Sequence, residues 1–276
     1  MKEDSYLIDY HLHTPLSGHA QGELEEYVEK AIKIGLKEIG FSDHAPLPRG
    51  FAPRLRDSIS IPEKKFSYYV EKILKLRDKF PEIKIKLGCE IDFIPGRMEE
   101  TLSLIQKYPL DYRMVSIHFV DGFPFDHPAY YPEWERESKE KIFLRYFQLL
   151  KEAIQYGEFD IIAHPDLPKK FGDRIPSSLK YLYREIARCS GEKGMVCEIN
   201  SSGLRRPVRE IYPSEDFLRV MKDAGIPVTF GSDAHSPEEV GKDIEKCYLF
   251  AISTGYRTFT LWERRNPISY PLHSSL

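Results

Sequence analysis

The chain has 276 residues, 41% of them hydrophobic and 30% charged, which is the composition of an ordinary globular protein with material for a large core. Its net charge of −3 gives no electrostatic case for nucleic acid as a main partner. No apolar run approaches the roughly 18 residues of a membrane span or follows Met1 as a leader would, and Cys89, Cys189, Cys197 and Cys247 show no C-x-x-C spacing. These features predict a cytoplasmic protein with reduced thiols and no membrane partner.

Apolar strands alternate with amphipathic helices along the chain. The spacing predicts a first strand over 6–13, a helix over 22–34, a second strand over 36–42 and a helix over 62–80. The intervening stretch 45–60, rich in Pro and Arg, is long enough to be a functional lid. A third strand over 83–91, a helix over 98–107 and a fourth strand over 112–118 follow, then an aromatic, Pro-containing loop over 119–131. One long helix is expected over 133–156, a fifth strand over 159–163, a helix over 177–191 and a sixth strand over 195–200. Ser214 caps a helix over 214–224 with acidic residues in its first turn. A seventh strand over 228–231 leads into a final helix over 236–254. Seven β/α units without a linker predict one domain, residues 1–276, with a parallel sheet that can close as a barrel; the alternative is an open doubly wound sheet, for which no G-x-G-x-x-G follows strand one.

The metal-capable side chains fall where those strands end. His11 and His13 lie one residue apart, so on a strand they share a face. His19 follows in the next loop, His44 after strand two, Glu90 near the end of strand three, His118 after strand four and His164 after strand five. Asp233 and His235 form a second alternating pair after strand seven. Seven of the nine histidines thus gather on one rim of a parallel barrel, and His127 and His273 fall outside the set. Imidazole and carboxylate suit zinc, iron and related ions, and seven His with two carboxylates exceed what one ion takes. Such a site favours hydrolysis, because bound ions lower the pKa of water and screen phosphoryl charge.

These residues resemble the PHP (polymerase and histidinol phosphatase) superfamily over essentially the whole chain. The motifs are His11-x-His13 with His19, Ser42-Asp43-His44, Gly88-Cys89-Glu90, Ser116-x-His118, His164-Pro165-Asp166 and Asp233-x-His235. Within it the chain looks like the histidinol-phosphate phosphatases, through His19-Ala20-x-Gly22, the run from Glu90 to Gly96 and the run from Glu198 to Arg205. The resemblance implies a distorted, seven-stranded (β/α) TIM-like barrel. It implies three divalent transition-metal ions (Zn, Fe or Mn), the first held by His11, His13, Glu90 and Asp233. Glu90 would bridge to a second held also by His118 and His164, and His19, His44 and His235 would hold the third.

The implied activity is hydrolysis of L-histidinol phosphate to L-histidinol and phosphate, a step of histidine biosynthesis, through attack of a metal-bridging hydroxide on phosphorus. Arg205, Arg206, Lys169 and Lys170 are candidates to complement the phosphate, Asp43 to orient a ligand histidine, and Asp126 to face the substrate's amine or imidazole. Phe123 and Phe125 suit an imidazole ring or loop packing. Two rival readings are a PHP phosphoesterase for another small phosphate monoester, such as a nucleotide or sugar phosphate, and a non-catalytic module like those embedded in some polymerases.

Overall fold

The structure, a computed structural model, describes residues 6–273. Seven strands, β1 (Ile8–Leu12), β2 (Glu38–Phe41), β3 (Lys84–Asp92), β4 (Tyr112–Ser116), β5 (Ile161–Ile162), β6 (Val196–Asn200) and β7 (Val228–Gly231), pair in parallel in sequence order. Closure comes just beyond β7, where His13 N donates to Ala234 O at 2.9 Å and Ala234 N to His11 O at 3.2 Å. The sheet is therefore a barrel, and its strands are almost wholly buried, as parallel strands covered by helices must be.

The interior is packed with side chains. Tyr112 occupies it because its neighbour strand carries Gly88, where an added Cβ would sit 2.2 Å from the Tyr112 ring. Its hydroxyl donates to Tyr10 O at 2.6 Å, which satisfies a buried polar group.

The outer layer consists of α1 (Leu24–Lys33), α2 (Phe66–Lys79), α3 (Met98–Ile105), α4 (Tyr131–Arg136), α5 (Lys139–Tyr156), α6 (Tyr181–Lys193), α7 (Glu215–Asp223) and α8 (Ile244–Thr254). Apart from the short α4, whose one buried residue is Trp134, they bury apolar faces in the core. In α2 the buried set is Phe66, Tyr69, Val70, Ile73 and Leu76, the 3–4 residue spacing of one helical face. Each large apolar side chain so buried contributes about 1.5–3 kcal/mol. One continuous core runs from Leu7 to Leu272. Among the described residues no helix is long and apolar enough to cross a membrane, and all four cysteines are buried and free.

Three expectations are corrected. The helix expected over 133–156 is two, because Glu137 and Ser138 turn extended and Ser138 caps α5 by accepting from Lys141 N at 3.4 Å. The helix expected over 236–254 starts late. A 3-10 turn, Pro237–Glu239, comes first, and Gly241 and Asp243 at positive φ delay α8 to Ile244. Ser214 precedes α7 without a capping bond from its side chain.

An antiparallel hairpin, β8 (Thr258–Glu263) and β9 (Asn266–Pro271), was not expected at all. It lies against the end of the barrel where the strands begin. Thr229 Oγ1 donates to Thr260 O, Arg264 N to Asp111 Oδ1, and the Arg265 guanidinium pairs with Asp160.

Candidate metal centre

The opposite rim gathers all nine side chains picked from the sequence. Glu90, at the end of β3 and 1% exposed, is the contact shared by five of the histidines. One oxygen, Oε1, lies 2.8 Å from His164 Nε2 and 3.7 Å from His118 Nε2. The other, Oε2, lies 3.3 Å from His11 Nε2, 3.4 Å from His44 Nδ1 and 3.6 Å from His13 Nε2. Asp233 Oδ1 is 2.9 Å from His13 Nε2 and 3.8 Å from His11 Nε2. His19 and His235 join through their rings, with centroids 4.8 Å apart and 5.7 and 4.3 Å from that of His13.

Ligand-capable atoms lie within 4.8 Å of one another in overlapping groups, including His11, His13 and Asp233; His11, Glu90 and His164; and His13, His19 and His235. His44 Nδ1 is buried without a hydrogen-bond partner while it faces Glu90. Borderline nitrogen and carboxylate donors at this density fit transition-metal dications. Two of these residues, His164 and Asp233, hold positive φ values of 25° and 54°.

The electrostatics follow from the crowding. Burial works against the charged carboxylate of Glu90, yet the imidazoles of His44, His11 and His118 hold its pKa well below the usual range. Asp233 is likewise held down, by His13 and His11, against burial. Burial lowers the pKa of His44, which is driven well below its ordinary value, and neighbouring imidazoles reinforce this in His235. In His13 the same burial is outweighed by Asp233 and Asp43, which raise it to about 9, and in His118 by Asp92, Asp126 and Glu90, which raise it to about 10. Anionic carboxylates thus concentrate here a demand for positive charge.

Supporting carboxylates fix the rings. Asp43 Oδ1 is 3.4 Å from His13 Nδ1 and accepts from His44 N at 2.9 Å, while its other oxygen accepts from Thr14 Oγ1. Two further groups escaped sequence reasoning. Glu198 on β6 takes His11 Nδ1 at 2.7 Å and accepts from His164 N at 2.7 Å. Asp92 lies 2.9 Å from His118 Nδ1. Carboxylates on the far nitrogen of a histidine set its tautomer and aim. Gly231 leaves room for this, because a Cβ there would stand 2.1 Å from Glu198 Oε1 and 2.5 Å from His11 Cβ.

A cavity of about 640 Å³ opens over the cluster. The loop over 45–60 lends it Ser58 and Ile59, and packs on its own small apolar cluster with Leu47, Ile94 and Phe119. Of the basic candidates, Arg206 and Lys170 line the cavity, with Lys170 Nζ donating to Asp126 O at 2.9 Å and pairing with Asp126 Oδ2 at 3.1 Å. Asp126 lines it as well.

Lys169 and Arg205 are not among the lining residues. Lys169 is turned away onto Asp166, Glu210 and Ile211 O, and Arg205 is held by Ser232 O and by Glu239, which itself lines the cavity. Phe125 is fully buried between Trp134 and Tyr146, so it serves loop packing, and Phe123 is absent from the lining. His127, outside the sequence-derived set, is on the cavity wall.

Comparison with known proteins gives a consistent picture. The PHP domain profile matches residues 9–202, and a PHP-associated profile matches 217–243. A probable histidinol-phosphatase of Deinococcus radiodurans is 35% identical over 94% of this chain and 98% of its own. The histidinol-phosphatase of Bacillus subtilis is 29% identical over 84% of this chain and 95% of its own. Among solved structures, histidinol phosphate phosphatase from Lactococcus lactis, complexed with zinc, L-histidinol and phosphate, shares the fold. Its TM-score is 0.78 at 23% identity, over 95% of this chain and 98% of that one.

Proposed function

The chain belongs to the PHP domain family, and from that premise we propose that it is a metal-dependent phosphatase hydrolysing L-histidinol phosphate to L-histidinol and phosphate. The observation that carries the reading is the convergence of eight ligand-type side chains, from strand ends and the loops after them, around Glu90. Full-length likeness to histidinol-phosphatases selects the substrate. Residues 1–276 form one phosphoesterase domain on this view, which the continuous main core from Leu7 to Leu272 supports.

The proposed ligands are His11, His13, Glu90 and Asp233 for a first ion, Glu90, His118 and His164 for a second, and His19, His44 and His235 for a third. Zinc, iron and manganese all suit this donor set. Bound divalent ions would make water nucleophilic near neutral pH and neutralise the phosphoryl oxygens. The protein's own share is orientation and charge. Glu198, Asp43 and Asp92 hold His11, His13 and His118 at fixed angles. Arg206 and Lys170, on the cavity wall, suit the equatorial phosphate oxygens, whose charge must be matched in the transition state. Asp126 suits the substrate's ammonium group.

Metal analysis of the purified protein, paired with a substrate panel, tests the reading. L-histidinol phosphate should exceed nucleotide and sugar monophosphates in kcat/KM by about 100-fold or more, the scale that a recognised polar group provides. Chelation should abolish turnover. Comparable rates across the panel would replace the substrate with small phosphate monoesters at large, and an inactive metal-loaded protein would leave a binding module.

A further inference from the structure

His127 stands at the start of a 3-10 turn, Pro128–Tyr130, on the wall of the cavity. Its Nδ1 accepts from Ala129 N at 3.2 Å, so in the neutral ring the proton must sit on Nε2. Pro128 fixes the turn, and Tyr130 meets the imidazole edge to face, with centroids 5.8 Å apart. Ring angle and tautomer are both set before any ligand arrives. Among the described residues no group hydrogen-bonds to Nε2.

Around it the cavity carries apolar surface and several groups that are already engaged. Ile59, Phe119, Pro124, Pro128 and Leu167 supply flat, water-excluding surface. Asp126 is paired with Lys170, and Glu239 accepts from His235 N and pairs with Arg205. A cavity of about 640 Å³ is in the range that holds whole small molecules, with far more room than a phosphate head group needs. The part of the substrate beyond the phosphate therefore meets apolar surface and, in His127, a donor whose direction is already fixed.

We propose that His127 is a specificity-determining residue whose Nε2–H donates to the unprotonated ring nitrogen of a heteroaromatic phosphate monoester. The inference rests on the proposed histidinol-phosphate activity, since the imidazole of that substrate offers such an acceptor. The site discriminates by its geometry, because a substrate without a ring acceptor leaves a pre-oriented donor unpaired.

The test compares kcat and KM on L-histidinol phosphate and on O-phosphoethanolamine, which keeps phosphate and amine but lacks the ring. His127→Ala should raise KM for L-histidinol phosphate and lower its kcat/KM relative to O-phosphoethanolamine by about 3- to 10-fold, the net worth of one hydrogen bond. His127→Asn retains a side chain that can cap the turn but does not reach as far, and should show the same selective loss. Equal loss on both substrates in the two variants would mean that His127 only orders its loop and would overturn the proposal, as would an unchanged ratio. Wild-type protein without L-histidinol phosphate turnover would refute the proposed function first, and this inference with it.

Discussion

The two rims of the barrel are built from similar residues and behave in opposite ways. On the rim where the strands begin, buried carboxylates are closed off by permanent cations and backbone donors. Asp111 accepts from Arg77, Leu87 N and Arg264 N, and Asp160 accepts from Arg113 N while Arg265 grips both of its oxygens. On the other rim, Glu90 and Asp233 face only imidazoles, which are charged or neutral according to what else is present. Arginine makes a carboxylate structural, whereas histidine leaves it available to a metal. Buried charge does not by itself mark a site; the nature of the partner does.

The largest expected effect breaks the histidine rim at its centre. Glu90→Gln removes the charge shared by five imidazoles. Phosphatase activity should fall by at least about 10³-fold, with bound metal lost in parallel, because the nucleophile depends on the ions. Metal content at wild-type level with full activity would refute the assignment. Glu198→Ala probes the support behind the rim, since it frees His11 Nδ1 and leaves His164 N without its acceptor. Metal affinity or kcat/KM should drop about 10- to 100-fold, the usual cost of losing such a partner. An unaltered titration with zinc or manganese would remove Glu198 from that role.

The metal-capable rim was legible because strand periodicity and chain order suffice to place it. His11 and His13 share a face by alternation, and every other candidate except His19, which lies in the loop after β1, sits at or just beyond a strand end, so parallel pairing brings them together whatever their separation in sequence. Asp92 obeys the same rule, two residues beyond Glu90, and Glu198 is a charged residue inside a buried strand. Both signals were present in the sequence. Lys169 and Arg205 were not legible, because a loop cation's direction depends on partners such as Glu210 and Glu239 that only the folded chain supplies. The terminal hairpin was hidden by its turn. Arg264 and Arg265 adopt φ of 49° and 63°, a conformation usually announced by Asn-Gly or Gly-Gly. The break before α5 had a signal, the cap Ser138, but no Pro or Gly beside it.

The arginine rim offers the opposite perturbation. Asp111→Ala strands the buried Leu87 N–H and two arginine contacts, and should cost about 1–3 kcal/mol of stability. Turnover per folded molecule and metal content should stay at wild-type level, because Asp111 lies at the opposite end of the barrel from the cavity. A urea denaturation series beside a metal assay checks both. Loss of metal without loss of stability would mean that the two ends are not independent.

The smallest effect separates the rims by pH. The pKa of His13 is raised to about 9 and that of His118 to about 10, so the stability that their protons contribute is complete below an unfolded value near 6.5 and is lost as pH rises through 9–10. His44 and His235 are shifted the other way, so in the fold they are neutral throughout this window, and above pH 7, where their unfolded forms hold few protons, they add little slope. Chelator-treated protein should therefore melt at progressively lower temperature as pH goes from 7 to 9.5. Buried thiols such as Cys89, raised to about 12, add a loss of the same sign, because the unfolded thiol ionises first. That loss is common to metal-free and metal-loaded protein. The difference between their two Tm profiles isolates the histidine rim, where a bound dication replaces the protons and should flatten the curve. Parallel profiles would show that the raised imidazoles do not share their carboxylates with the metal.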